Sequence, residues 1–383
     1  MSKAQQHNGV RCHYSIALVI DSLAGGGAER VVIELAQAFI DAGHVAVIIS
    51  LQTRQQYQPP SAIPVYFLYT EARVKLYKKA DQGKHAAKLT VLLHRLEEKY
   101  GQFDLILSNL DEAHFIVSAC HFHNVRYLVH NAIAQTLKRA IKMGPAKYLR
   151  QRRLFKCLNH QNVVAVSKGL AKELDSLSLF RPSSVEQIYN PFDYQLIARL
   201  AQQKNQQLPD QEYIIHVGRF AKQKRHDNLF RAMEYLPCSI KLVCLSENKT
   251  GILKLAKRFN LSSRVVAPGF QQNPYNWVAN ARCLVLSSDY EGFGNVLIEA
   301  LACGTPVVST DCEFGPSEIL TGDLQPYLVP KNDPRALAEG ILCAIQHPYP
   351  QIEENMFHPF AHTTVATQYL DLIPQIAANA DIK

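Results

Sequence analysis

The sequence lacks a long apolar run. Its first apolar segment, residues 16–20, is far shorter than the ~20 residues that a membrane-spanning helix needs, and no other segment approaches that length. The polar stretch of residues 1–14 also lacks the apolar core of a secretory signal. We therefore expect a cytoplasmic protein whose contact with a membrane is peripheral, on the cytoplasmic face.

Paired cysteines are missing too. The nine cysteines are odd in number and include no C-x-x-C pair, and most lie inside apolar segments such as Val243-Cys244-Leu245. This pattern is typical of buried, reduced thiols in a cytosolic protein rather than of a disulfide framework.

Strong charge of one sign is absent as well. The 41 Lys and Arg residues exceed the 33 Asp and Glu residues by eight, which favours anionic partners but is too little for a protein that coats nucleic acid. We expect no nucleic-acid partner. A chain of 383 residues that is 47% hydrophobic is long enough for two folded domains.

Short apolar runs alternate with helical patterns, which predicts an α/β fold. The first run, residues 15–20, is followed by glycines, by Val31, Leu35 and Phe39 at helical spacing, and by a second run at 45–50. Further strands are predicted at 65–68, 105–108, 127–129, 163–166, 213–217, 241–245, 265–267, 283–286 and 307–309.

The polar stretch at residues 202–210 divides this alternation in two. We therefore predict two Rossmann-like, doubly wound domains, residues 1–195 and 200–358, which face each other across a ligand cleft. A last helical segment within residues 360–383 is placed to pack back on the first domain.

A glycine loop follows the first predicted strand. Gly25-Gly26-Gly27-Ala28-Glu29-Arg30 leads into a helix start, where backbone N–H groups and the helix dipole favour a phosphate or diphosphate. It is not the dinucleotide fingerprint, which needs glycine in place of Arg30 and an acid after the second strand. The alternative is a tight turn that binds nothing.

A basic loop follows the predicted strand 213–217 and contains Arg219 and Lys224. An arginine fork and a lysine point charge together can neutralise a leaving diphosphate without a metal. The alternative is a solvated charged loop.

The strongest signal lies at residues 287–306, where a buried strand leads into a glycine loop and then a helix. The helix is predicted to start near Asn295, a good N-cap residue, with Glu291 in the loop and Glu299 in the helix. Carboxylates accept hydrogen bonds from sugar hydroxyls, and the backbone of Gly292 and Gly294 can approach a ligand closely.

At these residues the sequence resembles the retaining nucleotide-sugar glycosyltransferases of the GT-B fold, specifically glycosyltransferase family 4. The signature is Glu-x7-Glu, from Glu291 to Glu299. The likeness extends over residues 26–29, 163–167, 189–193, 218–219 with 224, and 304–308, and it is most specific between 219 and 320.

The resemblance implies a role for each matching residue. Glu291 would contact the hydroxyls of the donor sugar and Glu299 the ribose of the nucleotide. The loop residues Gly292, Phe293, Gly294 and Asn295 would offer backbone amides to the sugar and the diphosphate. Arg219 and Lys224 would hold the diphosphate, which Gly26 and Gly27 would cover from the other side of the cleft.

His130 ends the predicted strand 127–129, where such enzymes often place a histidine beside the reacting sugar. The alternative is a structural histidine. His114, His121, His123 and His130 show no metal-ligand spacing.

A second possible metal motif is also set aside. Asp311-Cys312-Glu313 resembles the D-x-D metal motif of the other glycosyltransferase fold only superficially, because it follows the last predicted strand of a doubly wound domain whose basic residues supply the positive charge. We expect no metal and no other cofactor.

Two segments of the first domain are basic. Residues 73–99 contain eight Lys or Arg against three acids, and residues 138–156 contain eight against none. One interpretation is a solvated helical face. We favour a surface for anionic lipid headgroups or for a phosphorylated acceptor, at ~1 kcal/mol for each basic residue near a charged membrane.

The resemblance implies transfer of a hexosyl group from a nucleotide diphosphate sugar, with a UDP-sugar favoured, to a glycan or lipid-linked acceptor. Retention at the anomeric carbon and a place in lipopolysaccharide or surface polysaccharide assembly follow by analogy. Two rivals remain: a UDP-sugar 2-epimerase on the same fold, which the Glu-x7-Glu loop argues against, and a non-catalytic partner subunit.

Overall fold

The computed structural model describes residues 13–71 and 74–374. Within these residues the chain forms two parallel β-sheets with helices packed on them. The predicted α/β class with two doubly wound domains is confirmed.

The sheet of the first domain has seven strands in the order β3-β2-β1-β4-β5-β6-β7. The strands are β1 (Ser15–Ile20), β2 (Val45–Ser50), β3 (Val65–Phe67), β4 (Leu105–Asn109), β5 (Val125–Val129), β6 (Asn162–Ala165) and β7 (Ser184–Gln187). The helices are α1 (Gly27–Asp41), α2 (Gln82–Tyr100), α3 (Asp111–Val117), α4 (Ile133–Lys142), α5 (Pro145–Lys156) and α6 (Lys168–Ser176). Helix α7 (Tyr194–Ala201) follows this sheet in the chain but packs on helices of the second domain. The central strands are buried on both faces, which is why their sequences are continuously apolar.

The sheet of the second domain has six strands in the order β10-β9-β8-β11-β12-β13. The strands are β8 (Tyr213–Val217), β9 (Lys241–Leu245), β10 (Val265–Val266), β11 (Cys283–Leu286), β12 (Val307–Thr310) and β13 (Leu328–Val329). The helices are α8 (His226–Ala232), α9 (Lys249–Arg258), α10 (Tyr275–Ala279), α11 (Asn295–Ala302), α12 (Pro316–Ile319) and α13 (Pro334–Gln346).

Strand register places the functional loops together. Ile20 at the end of β1 lies beside Ser50 on β2 and Asn109 on β4, and Val217 at the end of β8 lies beside Leu245 on β9. The loops that follow these strands therefore leave each sheet at its carboxyl edge, where ligands bind in open α/β sheets.

The chain returns to the first domain at its end. Helix α14 (His362–Leu370) packs on α1, and Val365 and Tyr369 join the same apolar core as Ile16 and Phe39. The helix ends at Leu370, so the predicted helical segment is too long at residues 371–374, and residues 375–383 lie outside the described residues.

The predicted strands 15–20, 45–50, 213–217, 241–245 and 283–286 have the observed bounds, and the bounds of the other predicted strands differ by one or two residues. Strands β7 and β13 were missed. The cysteines of the described part of the chain are free, and Cys244, Cys283 and Cys312 are buried as predicted. The predicted burial is wrong for Cys238, which is exposed, and for Cys120, Cys157, Cys303 and Cys343, which are only half-buried. Cys12 lies outside the described residues.

No helix in residues 13–71 and 74–374 is long and apolar enough to cross a bilayer.

Candidate active site

A cleft of about 260 Å³ lies between the carboxyl edges of the two sheets. Every residue predicted to bind the donor or to take part in catalysis lines it: Gly26, Gly27, His130, Arg219, Lys224, Glu291, Gly292, Phe293, Gly294, Asn295 and Glu299. The glycine loop at Gly26 and the motif that starts at Glu291 are more than 250 residues apart in sequence, yet both line this one cleft.

The cationic side of the cleft belongs to the second domain. Lys224 lies at the end of a 3-10 turn after β8, and its Nζ donates to Glu291 Oε1 at 2.7 Å. Ser288 Oγ donates to the same carboxylate oxygen at 2.5 Å. Glu291 Oε2 has no hydrogen bond to any described residue and remains able to accept one from a ligand, while the Arg219 side chain is exposed to the cleft.

The glycine loop after β11 lies against the backbone of the other domain. A Cβ at Gly292 would overlap the carbonyl group of His130, so only glycine permits this approach. Gly294 has a φ of 96° and is the N-cap of α11. The prediction of Asn295 as N-cap is therefore wrong: Asn295 is the first residue of the helix, and its Oδ1 accepts a hydrogen bond from Asn190 Nδ2 of the first domain at 2.7 Å.

His130 follows β5 and contacts both the loop and the cleft. Its Nε2 lies 3.0 Å from Asn109 Oδ1, and the amide of Asn109 donates to the Leu107 carbonyl at 3.0 Å, which leaves Oδ1 as the acceptor. His130 therefore carries its proton on Nε2, and Nδ1 is left as an acceptor. Burial lowers the pKa of His130 to about 4, so the ring is neutral at pH 7.

The first-domain glycine loop is held from the side. The N–H of Gly25 donates to Gln56 Oε1 at 2.6 Å, and α1 starts at Gly27 after a glycine N-cap that makes no side-chain capping bond. The first N–H groups of this 15-residue helix are therefore directed into the cleft, where they favour an anion. Burial raises the pKa of the neighbouring Glu29 to about 7.

Sequence reasoning missed a cluster that crosses the cleft. Arg30 of α1 reaches the second domain, where its Nη1 lies 3.1 Å from Tyr275 Oη and 3.5 Å from Glu299 Oε1. Its guanidinium also lies 5.3 Å from the ring centroid of Tyr57. The charge of Arg30, next to the glycine loop, was the signal that could have indicated this contact.

A second interdomain contact lies away from the cleft. Both carboxylate oxygens of Glu318 accept hydrogen bonds from the first-domain backbone, from Lys168 N and Gly169 N at 2.9 Å each, and Tyr189 Oη donates to Glu318 at 3.0 Å. Burial, with Glu318 as a further cause, raises the pKa of Tyr189 above its ordinary value. The carboxylate thus caps α6 from the opposite domain.

A smaller cavity of about 160 Å³ lies in the first domain and shares Leu110, His130 and Asn131 with the cleft. Helix α4 contributes Ile133 and Thr136 to its wall. Because the two cavities share these residues, a ligand bound in the smaller cavity would lie next to a ligand that contacts His130 in the cleft.

Two of the residues considered as metal ligands, His114 and His130, line the same smaller cavity. Within residues 13–71 and 74–374, no group of three His, Cys, Asp or Glu residues is arranged to hold a metal ion. Glu313 is paired with Lys331 at 2.8 Å. His114 is buried in the wall of the smaller cavity, hydrogen-bonded to Ser108 and to the Leu128 carbonyl, and burial lowers its pKa to about 3.

The basic segment 138–156 forms most of α4 and α5, which pack on each other as a hairpin. Three large apolar side chains are more than half exposed on this hairpin: Ile141 at 59%, Met143 at 59% and Leu149 at 55%. The other basic segment includes α2, where one such residue, Val91, is exposed at 69%; its first residue, Arg73, lies outside the described residues.

Two protein-family models match the chain in succession. The one described as Glycosyltransferase Family 4 matches residues 25–196, and the one described as Glycosyl transferases group 1 matches residues 199–357.

Curated relatives cover much of the chain. It is 28% identical over 343 residues to N-acetylgalactosamine-N,N'-diacetylbacillosaminyl-diphospho-undecaprenol 4-alpha-N-acetylgalactosaminyltransferase from Campylobacter jejuni, covering 85% of this chain and 88% of that protein. It is also 28% identical over 178 residues to lipopolysaccharide 1,6-galactosyltransferase from Escherichia coli, covering 44% of this chain and 48% of that protein.

Solved structures share the two-domain architecture. HepE from Anabaena in complex with UDP-glucose matches with a TM-score of 0.68 and 20% identity, covering 93% of this chain and 98% of that chain. Sucrose-phosphate synthase from Thermosynechococcus elongatus matches with a TM-score of 0.69 and 19% identity, covering 94% and 95%.

Proposed function

Because this chain belongs to the GT-B glycosyltransferases of the family 4 type, we propose that it transfers a hexosyl group from a UDP-sugar to a hydroxyl of a lipid-linked or lipopolysaccharide acceptor, with retention at the anomeric carbon. The observation that carries this proposal is the single cleft in which Arg219, Lys224, Glu291 and His130 converge.

The cationic groups are arranged for a leaving diphosphate. Arg219 is exposed to the cleft, and Lys224 lies beside Glu291 at the start of the glycine loop. The N-termini of α1 and α11 approach from opposite sides. Negative charge that develops on the diphosphate oxygens is therefore stabilised by groups already in place, so the proposed reaction uses protein cations where other enzymes use a metal.

The donor sugar would lie between Glu291 and His130. Glu291 Oε2 can accept from a sugar hydroxyl, and the neutral His130 ring offers Nδ1 as a second acceptor. In the proposed step the acceptor oxygen forms a bond to the anomeric carbon on the face that the diphosphate leaves, the bond from that carbon to the diphosphate oxygen breaks, and the acceptor proton passes to the departing diphosphate.

The smaller cavity supports an acceptor site in the first domain. It adjoins His130 and is bounded by α4, so an acceptor sugar there would reach the donor sugar from the first-domain side. The names of the relatives support a membrane-linked acceptor, since one is named for an undecaprenol diphosphate glycan and another for lipopolysaccharide.

The α4–α5 hairpin would hold the enzyme at an anionic membrane. Lys138, Arg139 and Lys142 are exposed beside Ile141 and Met143, a pattern that fits an interfacial helix with apolar side chains inserted among headgroups. The hairpin also borders the smaller cavity, which would bring a lipid-linked acceptor next to its site.

Donor identity and stereochemistry are tested together. The protein is incubated with UDP-glucose, UDP-galactose, UDP-N-acetylglucosamine, UDP-N-acetylgalactosamine and GDP-mannose, each with and without undecaprenyl diphosphate saccharide or lipopolysaccharide core. We expect an α-linked product from one UDP-sugar, identified by NMR of the anomeric proton. A β-linked product would overturn retention, and a 2-epimerised nucleotide sugar formed without acceptor would replace transfer by epimerisation.

The leaving-group role is tested by substitution. We expect Arg219→Ala and Lys224→Ala each to lower kcat by roughly 100-fold or more, because each removes a charge that stabilises the departing diphosphate. Lys222→Ala is the matched control: Lys222 is exposed in the same loop and does not line the cleft.

The activity of the wild-type protein should persist in excess EDTA. An absolute need for a divalent metal ion would show that Arg219 and Lys224 do not supply enough positive charge for the leaving diphosphate.

Membrane contact is tested by sedimentation with vesicles of phosphatidylglycerol and phosphatidylethanolamine. We expect the double variant Ile141→Ser, Met143→Ser to lose most binding and phosphatidylcholine vesicles to bind little wild type. Leu253→Ser, at a residue exposed at 40% on α9 of the second domain, is the control. Equal loss in the control would contradict the assignment to the hairpin.

A further inference from the structure

We propose that Arg30 is a positioning residue that orients Glu299 for the ribose hydroxyls and couples nucleotide binding to closure of the two domains. The inference rests on the proposed function, because it assigns Glu299 to the nucleotide. Arg30 belongs to the first domain and Glu299 to the second, and their side chains meet across the cleft at 3.5 Å.

Arg30 is held in a fixed orientation by two aromatic rings. The guanidinium carbon lies 5.3 Å from the ring centroid of Tyr57 and 5.0 Å from that of Tyr275. Tyr57 belongs to the first domain and packs edge-on against Phe270 of the second, while Tyr275 starts α10 in the second domain. The arginine therefore lies between surfaces that come together only when the domains are closed.

The surroundings make this contact strong. The Arg30 side chain is 16% exposed and that of Glu299 is 8% exposed, so solvent screens their attraction poorly. Glu34 lies one helical turn after Arg30, and burial raises its pKa to about 8 while the charge of Arg30 opposes that rise. The positive charge of Arg30 thus offsets the electrostatic cost of burying acidic groups at the domain interface. The closed form therefore depends on this residue.

The geometry leaves Glu299 ready for a ligand. Arg30 holds the carboxylate through Oε1, and Oε2 has no hydrogen bond to any described residue. A vicinal diol such as that of ribose can donate to this oxygen. A carboxylate fixed in advance loses less conformational freedom when the nucleotide binds than one that must be ordered by it.

Closure follows from reciprocity. A nucleotide held by the second domain binds more tightly when Arg30 orients Glu299, which occurs only in the closed form. By linkage the nucleotide must then favour the closed form to the same degree. Removing Arg30 should weaken nucleotide binding and closure together, without requiring any change in the transfer chemistry itself.

The experiment is a double-mutant cycle on nucleotide affinity, measured by calorimetry without acceptor. UDP, GDP and ADP are first compared, and the tightest ligand is used. We expect Arg30→Gln to weaken binding about tenfold, Arg30→Lys to recover part of the loss, and Arg30→Gln to add little in a Glu299→Gln background. Equal losses in both backgrounds would overturn the positioning role.

Two further measurements complete the test. Arg54→Gln is the matched control, because Arg54 also faces the second domain, 3.7 Å from Glu247, but is 62% exposed. An equal loss of nucleotide affinity in Arg54→Gln would show that removing any positive charge near the cleft has this effect, and it would overturn the proposal. X-ray scattering should show nucleotide-dependent compaction in the wild type and not in Arg30→Gln; compaction in both would overturn the coupling. A preference for GDP would overturn the UDP donor, while the cycle still decides the role of Arg30.

Discussion

At the scale of single residues, the second domain buries two histidines against each other. The rings of His216 and His226 lie 4.6 Å apart, and the Nε2 atom of each lacks a hydrogen-bond partner in the described part of the chain. Burial lowers the pKa of His216 to about 4 and that of His226 to about 2. Both rings are therefore neutral in the folded protein, and protonation of either one favours the unfolded chain.

This predicts how His226→Leu changes the pH dependence of stability. The unfolded wild type takes up a proton on His226 below its ordinary pKa of 6.5, whereas the folded protein does not until about pH 2. Between pH 7.5 and pH 5 the wild type should therefore lose ~2 kcal/mol of unfolding free energy relative to the variant. Urea unfolding at the two pH values measures the difference. Parallel pH curves for both proteins would contradict it.

Which site residues could be predicted depends on what marks them in the sequence. Glu291 and Glu299 lie in one short motif with two glycines, and each chemical requirement is local. No motif in the neighbouring sequence distinguishes Tyr57 or Tyr275, because both rings contact Arg30 only after two distant segments come together in the fold. Glu318 was missed for the same reason: the amides that it caps are 150 residues away.

At the scale of elements, the loop between β11 and α11 depends on a close backbone approach. Gly292 touches the backbone of His130 and Asn131, so an added Cβ cannot be accommodated by a side chain moving aside. The two domains would have to separate at the reacting centre.

We therefore expect Gly292→Ala to lower kcat by about 100-fold, the loss that a 1 Å displacement causes in an oriented site. The melting temperature should change little, because the clash lies between the domains. Gly83→Ala is the matched control, since Gly83 lies in α2 with no atom within 4 Å of an added Cβ. Near wild-type turnover in Gly292→Ala would show that the contact is not needed for catalysis.

All the central strands were predicted, whereas of the four edge strands β3 and β10 were predicted and β7 and β13 were not. β1, β2, β8, β9 and β11 have long runs of buried apolar residues, which follow from having neighbours on both sides and helices on both faces. β7 lies at a sheet edge with the sequence Ser-Val-Glu-Gln, and β13 has only two residues, so neither leaves an apolar run. The Asn295 cap was mispredicted because Gly294, at a positive φ, ends the loop one residue earlier.

At the scale of the whole molecule, the contact of Glu318 with α6 holds the domains together away from the cleft. A glutamine has one acceptor oxygen and cannot receive both the Lys168 and Gly169 amides as a carboxylate does.

We expect Glu318→Gln to shift the equilibrium toward an open form by ~1.5 kcal/mol, about tenfold, because it removes a charge-assisted hydrogen bond. The radius of gyration from X-ray scattering without nucleotide should increase. Asp323→Asn, at an exposed acid of the second domain, is the control. An unchanged radius in Glu318→Gln, or an equal increase in Asp323→Asn, would contradict this role.

The return of α14 to the first domain has a consequence for synthesis on the ribosome. Ile16 and Phe39 emerge before the second domain, but Val365 and Tyr369, which complete their core, emerge after it. At ~5–20 residues per second, translation of the intervening second domain takes on the order of ten seconds or more. The first domain is therefore completed only after the second has been made, and the nascent chain must keep an incomplete apolar face on α1 from aggregating until α14 has emerged.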